Sequence, residues 1–250
     1  MKSHEYFNAL KDLLNRIESE QMLKIRDAGL LVSSAVADQG VLHVFGSGHS
    51  HMMAEEAFFR AGGLVPVNAI LDERLAFFSG AYESTLRERE PGYAQTILSR
   101  ENIQSKDVAI VVSNSGRNAV PIEMALELQY RGLTVIAITN VQQSMRSSSR
   151  HASGKRLCDI ADIVIDNCVA PGDAALDLPG TPYRIGPTST VAGATIINAI
   201  IIEAAVELQR LGLPVPIFPS ANVESHSADN LESLLALWSP QVRLFRNSSD

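Results

Sequence analysis

Apolar residues return at helical spacing from the start of the chain, at Leu10, Leu13, Leu14 and Ile17 and again at Ile25, Ala28 and Leu31. Apolar positions every three or four residues mark one face of a helix, so residues 4–37 predict a helical arm, read as two helices. From residue 41 the pattern changes to short continuous apolar runs. Residues 41–45, 64–71 (despite Pro66), 107–112, 134–139 and 163–166 read as strands. Between and after them, 54–61, 122–129 and 188–211 read as helices, closed by Gly62-Gly63, Gly132 and Gly212. Apolar strands alternating with helices belong to a parallel sheet covered on both faces. The expected fold class is α/β: a doubly wound, mostly parallel five-stranded sheet with an N-terminal helical arm. Three regions follow: the arm over 1–37, the α/β domain over 38–222 and a helical tail over 223–250. Three stretches are less regular. Residues 72–106 are rich in charge and read as a helical insertion, 141–156 form a polar basic loop, and 167–187 are rich in Gly and Pro.

Composition narrows the partners. Apolar residues make up 46% of the 250, enough for a sizeable core, and the charge count is 21 − 28 = −7. A nucleic-acid partner wants a basic face, so none is expected. A small anion remains open, since backbone amides and hydroxyls hold a phosphate without a basic patch. Cys158 and Cys168 make neither a disulfide framework nor a zinc spacing, and a reducing cytoplasm is the expected location. No signal-peptide pattern follows Met1. The longest apolar stretch, 191–206, is broken by Gly193, Asn198 and Glu203 and reads as a buried helix rather than a membrane span.

Two strand-to-helix turns carry the candidate chemistry. Gly46-Ser47-Gly48-His49-Ser50 follows the first strand and opens a helix. Glycines let a ligand approach the backbone, and a helix start presents unpaired amides. The segment lacks the third glycine of a dinucleotide fingerprint and the Gly-Lys-Ser/Thr of a Walker A loop, so neither cofactor is expected. Alone, it also fits a tight turn with Ser50 as N-cap. The second turn, Ser113-Asn114-Ser115-Gly116-Arg117-Asn118, sets hydroxyl and amide side chains around another helix start. Two such turns at the carboxyl ends of strands in one sheet define a crevice where ligands of this architecture bind.

These turns resemble those of the SIS (sugar isomerase) domain family, and the likeness runs over roughly residues 35–222. Within that family it points to the bacterial branch labelled phosphoheptose isomerases. The resemblance implies a phosphorylated sugar as ligand. It puts the phosphate on Ser113, Asn114, Ser115 and Asn118, with Asn118 where the family carries Ser or Thr. It puts the sugar against Gly48, His49 and Ser50, with Thr188 and Ser189 of the segment Gly186-Pro187-Thr188-Ser189-Thr190 lining the same crevice. It also implies a homodimer or higher homo-oligomer with sites near subunit interfaces.

Isomerisation and β-elimination both need a base to take a proton α to a carbonyl. Related isomerases and etherases carry a glutamate ten residues after the turn serine, where this chain has Arg60. Glu56 lies one helical turn earlier on the same face and is the first candidate base. The plain alternative is an ion pair between Glu56 and Arg60. Glu73, just past the second strand, is the second candidate, and His226 a further acid/base candidate. His49 and His51 flank Ser50, but no third ligand accompanies them, so no metal is expected. His43, on an apolar strand, reads as a hydrogen-bonded core residue. Arg146, Arg150, Lys155 and Arg156 can close over a phosphate or form a solvated loop, and Asp173 can reach a sugar hydroxyl. The expected function is proton abstraction from a hexosamine 6-phosphate or heptose 7-phosphate, giving isomerisation or loss of water. The alternative is a phosphosugar sensor without chemistry.

Overall fold

A computed structural model describes residues 1–220 and 229–246. Helix α1 runs unbroken over Lys2–Ala37. The arm is therefore one helix rather than two. Its buried stripe passes through Leu13, Ile17, Gln21, Ile25, Ala28 and Val32. Gln21 interrupts the apolar spacing without interrupting the helix.

Five strands form one sheet: β1 (Leu42–Gly46), β2 (Val67–Ile70), β3 (Val108–Val112), β4 (Thr134–Thr139) and β5 (Ile163–Asp166). Their order is β2-β1-β3-β4-β5 and every pair is parallel. β2 starts three residues later than the apolar run suggests. Pro66 offers no N–H to the ladder, and its carbonyl instead accepts from the Leu42 N–H at 2.9 Å.

Helices cover both faces. Along β3, Val108, Ile110 and Val112 pack with α1, α2 (His51–Ala57) and α7 (Ser189–Arg210). Ala109 and Val111 point the other way, toward α4 (Tyr93–Leu98) and α5 (Ala119–Tyr130). This alternation is the two-residue period of a strand buried on both sides. The charged insertion supplies α3 (Ala81–Arg87) and α4, the basic loop begins with α6 (Val141–Arg146), and a small antiparallel hairpin pairs β6 (Leu176–Asp177) with β7 (Arg184–Ile185). Helix α8 (Asp229–Trp238) packs Trp238 beside Val41, Val65 and Phe218.

Among the described residues, α7 alone is long and apolar enough to cross a bilayer. Its face through Ala192, Ile196, Ile197, Ile200, Ala204 and Leu208 is buried in the core. At Gly29 of α1 a Cβ would stand 2.5 Å from the Cβ of Glu203 on α7, so the missing side chain lets the two helices approach.

His43 is a satisfied core residue, as its apolar strand suggests. Its Nε2 lies 3.0 Å from Asp107 Oδ2, and its Nδ1 meets the Asn68 amide at 3.1 Å. Asp107 also accepts from the N–H groups of Val41 (2.9 Å) and Gln104 (2.7 Å). One carboxylate thus ties the starts of β1 and β3. Asp107→Ala leaves these donors without a partner, and each buried unmet group costs about 1–3 kcal/mol. A urea titration should show a loss of about 2–3 kcal/mol, since Gln104 can turn to water.

Candidate functional site

The sheet order places the topological switch between β1 and β3, because the chain leaves β1 toward β2 on one side and returns to β3 on the other. Ligands of open α/β sheets bind at the carboxyl ends of the strands beside such a switch. Both turns singled out in the sequence stand there and face a cleft of about 410 Å³. Ser47, Gly48, His49 and Ser50 line one wall, Ser113, Asn114 and Ser115 a second, and Pro187, Ser189 and Thr190 a third.

The first turn winds through a short 3-10 stretch, Gly48–Ser50, into α2. The Gly48 N–H donates to the Leu75 carbonyl at 2.8 Å, and the His49 ring meets Phe77 edge-on at 4.8 Å. In the second turn the Gly116 N–H donates to Ser113 Oγ at 3.2 Å. Asn114 belongs partly to the frame. Its Oδ1 accepts from the Asn167 amide at 2.8 Å and its carbonyl from the Asn140 N–H at 3.1 Å, joining the ends of β3, β4 and β5. Thr188 and Ser189 begin α7, but their N–H groups are already taken. Both donate to Asp173 Oδ1, at 2.9 and 2.8 Å, while Ser189 Oγ donates to Oδ2 at 2.5 Å. Asp173 is thus a cap on α7, and its carboxylate offsets the positive end of that helix.

The structure brings in a residue the sequence reading missed. Glu88 closes α3 and lines the cleft. Its Oε1 accepts from Ser47 Oγ at 2.9 Å and its Oε2 from the Asn118 amide at 2.8 Å. Its carbonyl accepts from the Val120 N–H at 3.1 Å. One carboxylate therefore bridges both turns. No local spacing announces it, because Glu88 lies 41 residues beyond Ser47 and reaches it only when the insertion folds back.

Glu56 and Glu73 do not line this cleft. The Glu56 carboxylate is paired with Arg60 and accepts from the Asn198 amide of α7 at 2.9 Å, on the flank of α2. Glu73 is exposed past the end of the edge strand. His226 lies outside the described residues. In the basic loop, Arg156 is occupied by Asp159 and by the carbonyls of Ser144 and Met145, whereas Arg150 reaches Asn118 Oδ1 at 2.9 Å.

The thiol of Cys168 is no ready nucleophile. Burial, then Asp166, push its pKa up to about 11. His51, at the start of α2, is buried with Nε2 unpartnered. Burial holds its pKa below the ordinary histidine value, against the opposing pull of Glu55 and Asp72. The unfolded chain therefore takes up this proton first as pH falls. Stability tied to His51 is complete above about pH 6.5 and declines below it. Urea midpoints between pH 7.5 and 5 should fall less steeply in His51→Asn than in the parent.

The SIS domain family model matches residues 5–140, more than half of the chain, and the chain belongs to that family. A UPF0309 protein of Listeria innocua is 42% identical over 241 residues, covering 96% of this chain and 97% of that protein. One from Geobacillus kaustophilus is 41% identical over 227 residues, covering 91% and 90%. Among solved structures, a phosphoheptose isomerase from Francisella tularensis aligns with a TM-score of 0.53 at 16% identity, over 81% of this chain and 96% of that one. The Vibrio vulnificus NanR protein complexed with ManNAc-6P aligns with a TM-score of 0.50 at 14% identity, over 85% of this chain and 65% of that one. At such identities the last two share the fold.

Proposed function

We propose that the cleft between the β1 and β3 turns binds a phosphorylated sugar and that Glu88 moves a proton on it. Ser113 and Ser115 face the phosphate, and Asn118 ties their turn to Glu88. Gly48, His49 and Ser50 face the sugar, with Ser189 and Thr190 on the far wall, whereas Thr188 is buried and does not line the cleft. The observation that carries this reading is the Glu88 carboxylate, held by Ser47 on one turn and Asn118 on the other, at the edge of the cleft. A carboxylate so placed can take the proton α to a carbonyl while the electron pair moves onto the carbonyl oxygen. Returning that proton to the neighbouring carbon, while the α-hydroxyl passes its own proton to the former carbonyl oxygen, completes an aldose–ketose isomerisation. Expelling a β-hydroxyl, which leaves as water with a proton, completes a dehydration instead. The reading includes a cytoplasmic location and a homo-oligomer, the latter supported by the exposed apolar residues Ile202 and Val206 on α7 and Leu23 on α1.

A second reading, a sensor that binds without turnover, is favoured by Arg60 at the position where related isomerases carry glutamate. Proton NMR in D2O separates the two. The panel is sedoheptulose 7-phosphate, fructose 6-phosphate, glucosamine 6-phosphate and N-acetylglucosamine 6-phosphate. Loss of an α-proton signal is the expected result, and the product distinguishes isomerisation from elimination. Line broadening without exchange leaves the sensor, and neither effect with any compound sinks both.

A further inference from the structure

Three arginines belong to segments that meet at the second turn, near enough for the charges of Arg117 and Arg89 to act on Arg150. Arg117 belongs to the turn, Arg150 comes from the basic loop and Arg89 follows Glu88 at the end of α3. The Arg150 N–H donates to the Arg117 carbonyl at 2.8 Å, and its Nη1 donates to Asn118 Oδ1 at 2.9 Å. Arg117 Nη2 donates to Ser148 Oγ at 3.3 Å. The Arg117 Nε–H is buried and has no hydrogen-bond partner. Among the described residues, none of the three arginines has a carboxylate within ion-pair distance.

The electrostatics agree with the geometry. Partial burial, then Arg117 and Arg89, lower the pKa of Arg150, and Glu88 pulls it back. The nearby Glu123 is turned elsewhere, accepting from the Gly92 N–H and facing His151. Like charges drawn together repel, and a buried donor without a partner is costly. An anionic group with several oxygens would relieve the repulsion, because guanidinium forks match carboxylate and phosphate oxygens.

We propose that Arg89, Arg117 and Arg150 form a second anion subsite, so that the ligand is a sugar phosphate carrying a further carboxylate or phosphate. This rests on the phosphosugar reading of the cleft. The two anion positions are linked through Asn118, which accepts from Arg150 and donates to Glu88 at the cleft edge. The first anion sits on the serines of the turn and the second on the arginines beside it.

The test is calorimetric titration of the full chain with fructose 6-phosphate, fructose 1,6-bisphosphate and 6-phosphogluconate. At least one of the doubly anionic compounds should bind about tenfold or more tightly than the monophosphate, a factor worth about 1.4 kcal/mol. Which of the two gains tells phosphate from carboxylate. Arg150→Gln should remove the gain, read as the ratio of doubly anionic to monophosphate affinity within the same variant. Arg89→Gln, which breaks no described hydrogen bond of the turn, should reduce the gain and guards against a local folding defect in the first variant. Equal affinity for all three compounds overturns the subsite and leaves the phosphosugar reading standing. So does a gain that survives both substitutions. Binding of none of the three overturns the subsite, and if no sugar phosphate of the NMR panel binds either, the phosphosugar reading falls with it.

Discussion

Glu88→Gln is expected to lower proton exchange on the bound sugar phosphate by about 10²–10⁴-fold, the usual contribution of a positioned acid or base. Binding should persist. The carboxamide has the shape of the carboxylate and can keep both anchors. Its oxygen still accepts from the Asn118 amide, and its NH2 can donate to Ser47 Oγ once that hydroxyl turns to accept. The two turns therefore stay joined while the basic oxygen is gone. Deuterium incorporation measures turnover and a titration measures affinity. A variant that exchanges protons at the parent rate removes Glu88 from the chemistry. Glu56→Gln is the matched comparison. It weakens a half-exposed pair with Arg60 on the flank of α2, worth a few tenths of a kcal/mol, about the usual size for an i, i+4 pair.

Gly46→Ala should destabilise the fold by about 3 kcal/mol or more, at or beyond the upper end of ordinary overpacking. A Cβ on this residue would lie 2.1 Å from the Ser50 carbonyl oxygen and 2.4 Å from its carbon. Both are backbone atoms, so no rotamer change relieves the clash. The turn must open, and with it the position of Ser47 against Glu88. Unfolding midpoints in urea measure the loss. A ligand titration at low temperature, where the variant remains folded, should show weakened binding as well. An alanine variant with parental stability would mean that the turn is not held as described.

Much of the architecture was legible because its signals are local. β4 and β5 span the residues that their β-branched runs suggest, and both turns announce themselves by Gly, Ser and Asn at a strand end. The break read into α1 has a physical origin. Gln21 sits in the buried stripe between Ile17 and Ile25, where its Oε1 accepts from the Asp166 N–H of β5 at 3.1 Å. A polar residue serving a strand end looks, in the sequence, like the end of a helix. The site was half legible for the same reason. Ser113, Ser115 and Ser50 are written into contiguous motifs, whereas Glu88 arrives from an insertion. Its position depends on long-range packing that no periodicity reports. Asp173, read as able to reach a sugar hydroxyl, lines the cleft and also caps the start of α7, a second task that the sequence did not announce.

The pairing of α1 with α7 has a consequence for how the chain is made. About 150 residues separate the end of the first helix from the start of the second. At a synthesis rate of about 5–20 residues per second, α1 waits roughly eight to thirty seconds before α7 begins to be made. No strand pair of the main sheet is joined by a hairpin, so nothing local closes early over the stripe from Leu13 to Val32. A nascent chain halted before residue 189 carries an amphipathic helix whose stripe lacks the cover of α7. Such fragments are expected to aggregate or to occupy chaperones, although every strand of the sheet has already been synthesised.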